Sequence, residues 1–380
     1  MKTKILFIFH EDTRTGAPNA LLSFLNYLKS NYSEEFILDI FILRSIAGEL
    51  KPELKEIARK IFIIKKDKSI KTKITNVLKP TTPFLLSLQA INQYDLVYGN
   101  TILTLKYLSK LKKNFKKLKT LLHVHEGKYL TSLFLNKNKA TIQFKNIDYI
   151  FTVNKSSAEN LIKNYEVDSS IISIISPTIE HIENFDSTNP LKEKYKDNEL
   201  ILVNFGQPSL TKGTDLIPQI GALLRNKNLN LKFKILVIGF INDNDFLKSL
   251  KLDVSKLHLD NYIEFIPHTK TPLNYLEIAN ICLITSREES FSLVGIQAAM
   301  LKKPIVCFKN AIGISEILNE DSTFQADYLN VEEYTEQILK TKKLPEVTKQ
   351  KTILANQIYK NILSSEKSNL KHYLELKKLT

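Results

Sequence analysis

The stretch TSREESFSLVGIQAAMLKKPIVCF, residues 285–308, decides the fold because it joins two buried strands through a loop and a helix. Short apolar runs of strand length stand at its two ends, ICLIT at 281–285 and PIVCF at 304–308. Apolar residues at helical spacing lie between them: Leu293, Ile296, Met300 and Leu301. A strand, a loop, a helix and a second strand in this order predict one unit of a parallel sheet.

The loop of this stretch carries Arg287, Glu288 and Glu289 at the carboxyl end of the first strand. In open parallel sheets, ligands bind in the crevice outside the carboxyl ends of the strands. The positive end of the following helix would point into that crevice, which suits a phosphate group. Acidic residues at a helix start are also ordinary caps, so a purely structural interpretation stays open.

The same alternation of strand-like runs and helical patterns extends along the whole chain, in two series. The first series comprises residues 4–9, 38–43, 60–64, 95–100, 120–125, 149–153 and 171–176. The second comprises residues 200–206, 233–239, 262–266, 281–285 and 304–308, and a helical pattern from about Val347 to Leu379 follows it. Near-continuous apolar strands separated by helices predict parallel sheets covered on both faces.

These patterns predict an α/β protein with two doubly wound, Rossmann-like domains that face each other across a cleft. The polar segment 180–199 is the candidate linker, and a length of 380 residues suffices for two cores. We expect an N-terminal domain at 1–183 and a C-terminal domain at 184–362. A last helix at about 363–380 is a candidate to pack back onto the N-terminal domain.

The composition is that of a soluble globular protein, with 43% hydrophobic and 25% charged residues. No run approaches the roughly 18 to 20 apolar residues of a membrane-spanning helix. The N-terminus reads as a first strand and lacks the cleavage site of a secretory signal. The two cysteines, Cys282 and Cys307, lie inside apolar strand runs and are expected to be reduced core residues. We therefore expect a cytoplasmic protein.

Positive charge is concentrated in the first half of the chain. Residues 1–180 hold 28 Lys and Arg against 16 Asp and Glu, a balance of +12, whereas residues 181–380 hold 26 against 24. A one-sided basic surface suggests an anionic partner such as a membrane face, nucleic acid or an acidic acceptor. The densest stretch, residues 105–119, predicts a helix with an apolar stripe of Tyr107, Leu111, Phe115 and Leu118 among lysines. A plain surface helix, or a lysine-rich proteome, would give the same pattern.

Two turns after predicted strands have the composition of ligand-binding loops. In the first domain, Gly16, Ala17 and Pro18 precede a helix, and Gly16 allows close backbone approach to a ligand. Neither a GxGxxG motif nor a P-loop occurs in the chain. In the second domain, Gly206 ends a strand and Lys212 precedes Gly213, where a lysine can neutralise a phosphate or simply be solvated.

A histidine pair ends another strand of the first domain. His123 and His125 alternate with apolar residues, so their side chains project to the same side of the strand, and Glu126 follows them. A histidine at the carboxyl end of a strand is a candidate for a role at a reacting centre. A buried structural histidine is the alternative, and it is the stronger interpretation for His123.

Taken together, these motifs resemble those of the retaining glycosyltransferases of family 4, which have the GT-B fold of the glycogen-synthase-like superfamily. That family carries a Glu, seven residues and a second Glu on such a strand, loop and helix, and Glu289 occupies the first position. Other elements match in order and spacing: Gly16, His125 with Glu126, Lys212 with Gly213, and Gly313 with Glu316. The resemblance covers nearly the whole chain.

Two positions depart from the family pattern. Gln297 stands where the second Glu is expected, and Gln207 replaces a basic residue that often follows the domain-two glycine. In the family, the second acidic residue typically holds the ribose of the nucleotide. A glutamine can still hydrogen-bond hydroxyl groups but carries no charge, so these changes bear on donor affinity.

The resemblance implies transfer of a hexose from a nucleotide-sugar to a glycan or lipid-linked acceptor, with retention of configuration and with no metal or other cofactor. Glu289 would hold sugar hydroxyls and orient the anomeric carbon, and His125 would bind the donor sugar or assist at the reacting centre. The implied donor-binding residues are Gly16, Gly206, Lys212, Gly239, Arg287, Ser290, Phe291, Ser292, Leu293 and Gln297. Lys212 and the helix amides would stabilise charge on the leaving diphosphate.

The acceptor would bind the basic N-terminal domain, in bacterial surface polysaccharide or glycoconjugate synthesis, with the protein peripheral on the inner face of the membrane. A nicotinamide oxidoreductase should show GxGxxG after its first strand, which is missing. A nucleic-acid-binding protein should interleave aromatic residues with its basic ones, so no nucleic acid is expected. A catalytically weak sugar-nucleotide-binding partner subunit remains the alternative, since it would explain Gln297 and Gln207.

Overall fold

A computed structural model describes residues 2–46, 48–63, 91–179, 189–227 and 230–380 of the chain. The chain divides into two compact units. Unit 1 comprises residues 1–179 and 365–380, and unit 2 comprises residues 180–364. The expected boundary at 183/184, and residues 180–188 of the expected linker, lie outside the described residues.

Unit 1 is built on a seven-stranded sheet in which every described strand pair is parallel. Its strands are β1 (Thr3–Phe9), β2 (Phe36–Ile42), β3 (Lys60–Ile63), β4 (Leu96–Asn100), β5 (Lys119–Val124), β6 (Tyr149–Thr152) and β7 (Ile172–Ile174). They are ordered β3-β2-β1-β4-β5-β6-β7, so the order reverses between β1 and β4. The described helices of the first 179 residues are α1 (Gly16–Tyr32), α2 (Lys51–Ile57), α3 (Leu105–Asn114), α4 (Lys128–Phe134), α5 (Lys137–Phe144) and α6 (Lys155–Tyr165).

Both faces of this sheet are buried. Along β1, Leu6 and Ile8 belong to one hydrophobic cluster, whereas Ile5, Phe7 and Phe9 belong to the other. Successive side chains of a strand point to opposite faces, so two clusters on alternating residues mean a covered sheet on each side. The continuous apolar runs of the sequence follow from this two-sided burial.

Unit 2 repeats the design with a six-stranded parallel sheet. Its strands are β8 (Leu200–Phe205), β9 (Phe233–Phe240), β10 (Ile263–Pro267), β11 (Ile281–Ile284), β12 (Ile305–Phe308) and β13 (Phe324–Ala326), in the order β10-β9-β8-β11-β12-β13. Its described helices are α7 (Leu191–Lys194), α8 (Ile217–Lys227), α9 (Asp245–Lys256), α10 (Pro272–Ile278), α11 (Leu293–Met300), α12 (Val331–Lys343) and α13 (Pro345–Ile358). The prediction of two doubly wound, parallel-sheet domains is confirmed.

One strand and one helix end differ from the prediction in unit 2. The expected series stops at 304–308, but the three-residue edge strand β13 follows, and its FQA sequence is too short to show a pattern. The helical segment expected from Val347 onward is broken into α13, a π-helical turn at Tyr359–Leu363, and a last helix. Cys282 and Cys307 are buried and unbridged on β11 and β12, as expected.

The last helix, α14 (Ser365–Leu379), belongs to unit 1. His372 stacks on Phe24 of α1 with ring centroids 3.5 Å apart, and Tyr373 stacks on Tyr32 at 3.7 Å. Leu376 is fully buried in the cluster that also holds Phe7 and Tyr98. This helix is therefore part of the core of unit 1, although 185 residues of unit 2 precede it in the chain.

The lysine-rich helix at 105–119 is shorter than predicted. Helix α3 ends at Asn114, and Phe115 and Leu118 lie in the turn before β5. Tyr107 and Leu111 are buried in the core of unit 1, so the expected apolar stripe faces the protein interior. Lys112 is also engaged locally, because it pairs with Asp148 and donates to the carbonyl of Leu118. The apolar side of α3 is thus unavailable to a membrane.

Candidate functional site

The candidate site of unit 2 lies at the point where its strand order reverses. Strands β8 and β11 are neighbours, but β8 continues to β9 on one side and β11 to β12 on the other. The loops that leave their carboxyl ends separate there and open a crevice, the usual ligand position in such sheets. The two loops are tied together by Arg287 N, which donates to Thr211 O at 2.8 Å, and by Thr285 Oγ1, which donates to Lys212 O at 2.9 Å.

An ion pair between Lys212 and Glu289 occupies this crevice. Lys212 Nζ lies 2.7 Å from Glu289 Oε1, and Ser286 Oγ donates to Glu289 Oε2 at 3.1 Å. The backbone of Glu289 is held by Ala311 O and Gly313 N, at 2.9 and 2.8 Å. The Lys212 side chain is 33% exposed and the Glu289 side chain 15%. A positive group and a carboxylate, both reachable from solvent, can bind a phosphate and hydroxyl groups side by side.

Glycine is required at the junction of the two loops. Gly213 has φ +63°, and a Cβ there would lie 1.9 Å from the carbonyl oxygen of Thr285. Gly206 has φ +128° and packs against the Lys212 side chain, while Gly239 has φ +118° and faces the backbone of Gly206. The three glycines therefore let the loops approach closely, and they place the stem of Lys212 over the end of β8.

Arg287 is committed to a partner that the sequence did not indicate. Its guanidinium binds Asp215 in a bidentate pair with both distances at 2.7 Å, and Arg287 Nη1 also donates to Leu210 O at 2.6 Å. The hydrogen bonds to Asp215 raise the pKa of Arg287 above its ordinary value. Asp215 lies nine residues after Gly206, at the start of the next helical turn, and no pattern linked it to the acidic loop. Arg287 thus fastens the two loops together.

The start of α11 adds backbone donors to the crevice. Ser292 is buried and caps the helix, because its Oγ accepts from Gly295 N at 3.3 Å. Phe291 is buried, whereas Ser290, Leu293 and Gln297 are partly exposed. The Ser292 hydroxyl is therefore used in capping, and the free amides of the first turn are what the helix end offers to an anion. On the β8 side, Gln207 Oε1 accepts from Ile241 N at 2.9 Å.

Unit 1 carries a second polar group at its own reversal point, between β1 and β4. Asn100 ends β4, and its Nδ2 donates to Ala17 O at 3.1 Å, next to Gly16 at the exposed start of α1. This leaves Asn100 Oδ1 as the acceptor for His125 Nε2 at 2.8 Å. The arrangement fixes the neutral tautomer of His125 with its proton on Nε2. Burial, then His123 and His10, lower the pKa of His125 well below its ordinary value.

Glu126 is buried directly behind His125. Its Oε2 accepts from Ile102 N and His125 N, both at 3.0 Å. Burial outweighs these hydrogen bonds and raises the pKa of Glu126 to about 7. The neighbouring Thr101 has φ +83°, an uncommon conformation for a residue with a side chain. The carboxyl group therefore holds the β4 and β5 ends together, and it is placed to do so rather than to meet a ligand.

A buried cluster of Tyr98, His123 and His372, which the sequence did not reveal, packs against His125 through the His123 ring. The His123 and His125 rings are 4.1 Å apart, on the same side of β5 as predicted. Tyr98 OH bonds His123 Nδ1 at 2.6 Å and His372 Nε2 at 3.1 Å. Burial is the largest cause that lowers the pKa of both His123 and His372. His123 is thus a structural residue, and α14 reaches the candidate site through it.

The predicted site residues fall into two groups. Unit 2 brings together Gly206, Lys212, Gly239, Arg287, Glu289 and the start of α11, and unit 1 brings together Gly16 and His125 through Asn100 and Ala17. Glu316 lies at the exposed end of a 3₁₀ turn, Gly313–Glu316. In the part of the chain that the structure describes, no group of three or more His, Cys, Asp or Glu could hold a metal ion.

The chain resembles known proteins in sequence. Residues 186–361 match the family model described as glycosyl transferases group 1. The phosphatidylinositol N-acetylglucosaminyltransferase GPI3 subunit of Saccharomyces cerevisiae is 28% identical over 206 residues, which cover 53% of this chain and 44% of the yeast protein. The chain therefore spans less than half the length of that relative.

Solved structures resemble nearly the whole chain. The structure of HepE from Anabaena, in complex with UDP and glucose, has a TM-score of 0.83 at 17% identity and covers 99% of this chain and 100% of its own. A glycosyltransferase from Rickettsia africae has a TM-score of 0.78 at 19% identity, covering 100% of this chain and 98% of its own. Residues 186–361 therefore match a glycosyl transferases group 1 domain, and the chain has the GT-B fold.

Proposed function

We propose that this protein is a retaining, family 4 hexosyltransferase that moves a sugar from a nucleotide-sugar to a glycan or lipid-linked acceptor. The observation that carries the proposal is the pair of Lys212 and Glu289, 2.7 Å apart at the strand-order reversal of unit 2. A cation beside a carboxylate fits a donor that presents a diphosphate and sugar hydroxyls to the same few ångströms of surface.

Lys212 and the start of α11 serve the leaving group in this mechanism. Departure of the nucleoside diphosphate from the anomeric carbon builds negative charge on its phosphate oxygens. The Lys212 ammonium, the amides from Phe291 to Leu293 and the positive end of the helix stabilise that charge where it develops. Because this charge is carried by groups of the protein, the proposed reaction requires no metal and should survive chelation.

Glu289 acts on the sugar. Its carboxylate is held by Ser286 and Lys212, so two fixed donors orient it before the substrate arrives. Sugar hydroxyls can replace one of these donors and leave the anomeric carbon in a defined position. On unit 1, His125 is proposed to bind the donor sugar or assist at the reacting centre. Its neutral state, with a proton on Nε2, makes it a hydrogen-bond partner without a charge.

The remaining predicted residues are proposed to bind the donor as well. Gly206, Gly213 and Gly239 allow the phosphates to approach the backbone, and Gln297 meets the nucleoside. Gln207 and Gln297 supply hydrogen bonds without charge, so the affinity for the donor rests on Lys212 more than it would with ionised residues there. HepE was solved with UDP and glucose, which makes a UDP-sugar the first donor to test.

The acceptor is proposed to bind unit 1, in bacterial surface polysaccharide or glycoconjugate biosynthesis at the cytoplasmic side of a membrane. The +12 balance of residues 1–180 supports an acidic or lipid-linked acceptor there. A catalytically weak subunit that binds nucleotide-sugars and assists a partner enzyme is the second candidate, favoured by Gln297 at the position of the family's second Glu.

Donor binding and turnover decide between the two candidates. Thermal shift with UDP-, GDP-, ADP- and dTDP-sugars identifies the donor, and release of nucleoside diphosphate from it measures turnover. Glu289→Gln should lower turnover by orders of magnitude and leave the fold intact, whereas Glu288→Gln, the same change one residue earlier, should lower it far less. Donor binding without turnover in the wild type would favour the partner subunit. Near-wild-type turnover in Glu289→Gln would end the enzymatic assignment.

A further inference from the structure

Helices α4 and α5 of unit 1 expose apolar side chains that a soluble surface does not need. Leu133 is 62% exposed, Ile142 57%, Tyr129 53% and Phe134 47%. Of residues 128–145, only Thr131, Ala140 and Phe144 are buried. Single exposed apolar residues are ordinary, but four large ones within fourteen residues indicate a surface that contacts something apolar.

The same segment carries positive charge without any negative charge. Four lysines, Lys128, Lys137, Lys139 and Lys145, are exposed, and no Asp or Glu occurs from 127 to 147. Within the described parts of the chain, none of these four lysines forms an ion pair at 4.0 Å or less. Large apolar side chains among unopposed lysines are typical of segments that lie in the headgroup region of an anionic bilayer.

We infer that residues 128–145, the α4–α5 surface, dock on an anionic lipid bilayer. Tyr129 and Leu133 are four residues apart on α4 and therefore lie on one side of it. They would enter the headgroup region with Phe134 and Ile142, and the four lysines would remain at the level of the lipid phosphates. Anchoring by such an interfacial surface is reversible. No described helix is long and apolar enough to cross a membrane.

Docking through the α4–α5 surface would bring the strand end that carries His125 close to the membrane. This surface begins two residues after Glu126, and therefore directly follows the strand end that carries His125. A lipid-linked acceptor in the same leaflet would be presented at the carboxyl edge of the unit 1 sheet. That use rests on the proposed function, but the docking itself does not, because vesicle binding is measured without donor or acceptor.

Co-sedimentation with vesicles tests the inference. The full chain should bind phosphatidylcholine vesicles that contain phosphatidylglycerol, should bind neutral phosphatidylcholine vesicles far less, and should be released by salt. Each lysine near an anionic surface contributes about fivefold to partitioning, so changing all four to Gln should weaken binding by about a hundredfold or more. Leu133→Ser with Phe134→Ser should weaken it by about tenfold or more, by removing apolar insertion.

A matched control comes from the stretch that the sequence had suggested. Lys106, Lys113, Lys116 and Lys117 are also exposed on unit 1, beside apolar residues that are buried. Changing these four to Gln removes the same charge and should leave most of the binding. An equal loss in both quadruple variants, equal binding to neutral vesicles, or no binding to either vesicle would overturn the inference. A transferase that turns over soluble acceptors but ignores vesicles would refute docking alone.

Discussion

Gly213→Ala should separate the two loops that form the unit 2 site. The added Cβ would lie 1.9 Å from Thr285 O, a backbone atom, so the loops must move apart by about 1 Å or more to reach ordinary contact. The conformation itself, with φ +63°, costs about 1 to 2 kcal/mol for a residue with a side chain. Overpacking adds about 1 to 3 kcal/mol, for a total of roughly 2 to 5 kcal/mol.

Gly48→Ala is the matched control for the backbone conformation. Gly48 has φ +70°, but a Cβ there would meet the flexible side chain of Lys51, at 3.1 Å. Its cost should therefore be the conformational part alone, about 1 to 2 kcal/mol. The difference between the two substitutions isolates the collision with Thr285.

Hydrogen exchange resolved by peptide is the appropriate assay, because the chain has no Trp and divides into two compact units whose stabilities need separate measurement. Peptides from β8 and β11 should lose protection in Gly213→Ala, and those from β1 should not. Donor turnover should fall by about a hundredfold, because Lys212 is displaced together with its neighbour. If Gly213→Ala costs unit 2 no more than Gly48→Ala costs unit 1, the two loops do not depend on this close contact.

Three further predictions concern residues with different duties. Gln297→Ala should weaken nucleotide binding by several-fold, and Gln297→Glu should not weaken it. If nucleotide titrations give the wild-type affinity for both variants, Gln297 only packs. His372→Ala should lower the unfolding free energy of unit 1 by about 3 kcal/mol, because it removes the ring stacked on Phe24. His372→Phe keeps a stacked ring and loses only the hydrogen bond to Tyr98, so it should lower the unfolding free energy by about 1 kcal/mol. Denaturant titration of both variants measures the difference. Glu126 should make unit 1 less stable as pH rises from 4.5 to about 7, because its folded pKa is raised and the folded state loses a proton that it binds tightly. Across that range the unfolding free energy of the wild type should fall by about 3 kcal/mol more than that of Glu126→Gln. Parallel curves of unfolding free energy against pH for the two proteins would contradict the raised pKa.

The fold was predictable because a strand that is buried on both faces of a sheet appears in the sequence as a continuous apolar run. Every strand of unit 1 appeared as an apolar run, since Leu6 and Phe7 are buried on opposite sides. Edge strand β13 could not be recognised as an apolar run, because three residues are too few for any pattern. The end of α3 was misjudged, since the lysines after Asn114 continue the helical spacing of polar residues while the chain already turns into β5.

The candidate site was only partly predictable for a different reason. Glu289, Lys212 and Gly213 stand next to strand ends, and the topology of a parallel sheet brings strand ends together. Asp215 and Tyr98 were missed because their roles come from partners 72 and 25 residues away, which are Arg287 and His123. For a tyrosine in the middle of a strand, the neighbouring sequence does not show whether its hydroxyl bonds other side chains or its ring only packs.

The return of α14 to unit 1 has a consequence for synthesis on the ribosome. Residues 180–364 are all made between the two parts of unit 1. At about 5 to 20 residues per second, that interval lasts roughly 10 to 40 s. Throughout it, Phe24 and Tyr98 lack the covering ring of His372. Unit 1 is therefore completed only after unit 2 has been made, and until then the apolar side chains that α14 covers stay uncovered on the nascent chain.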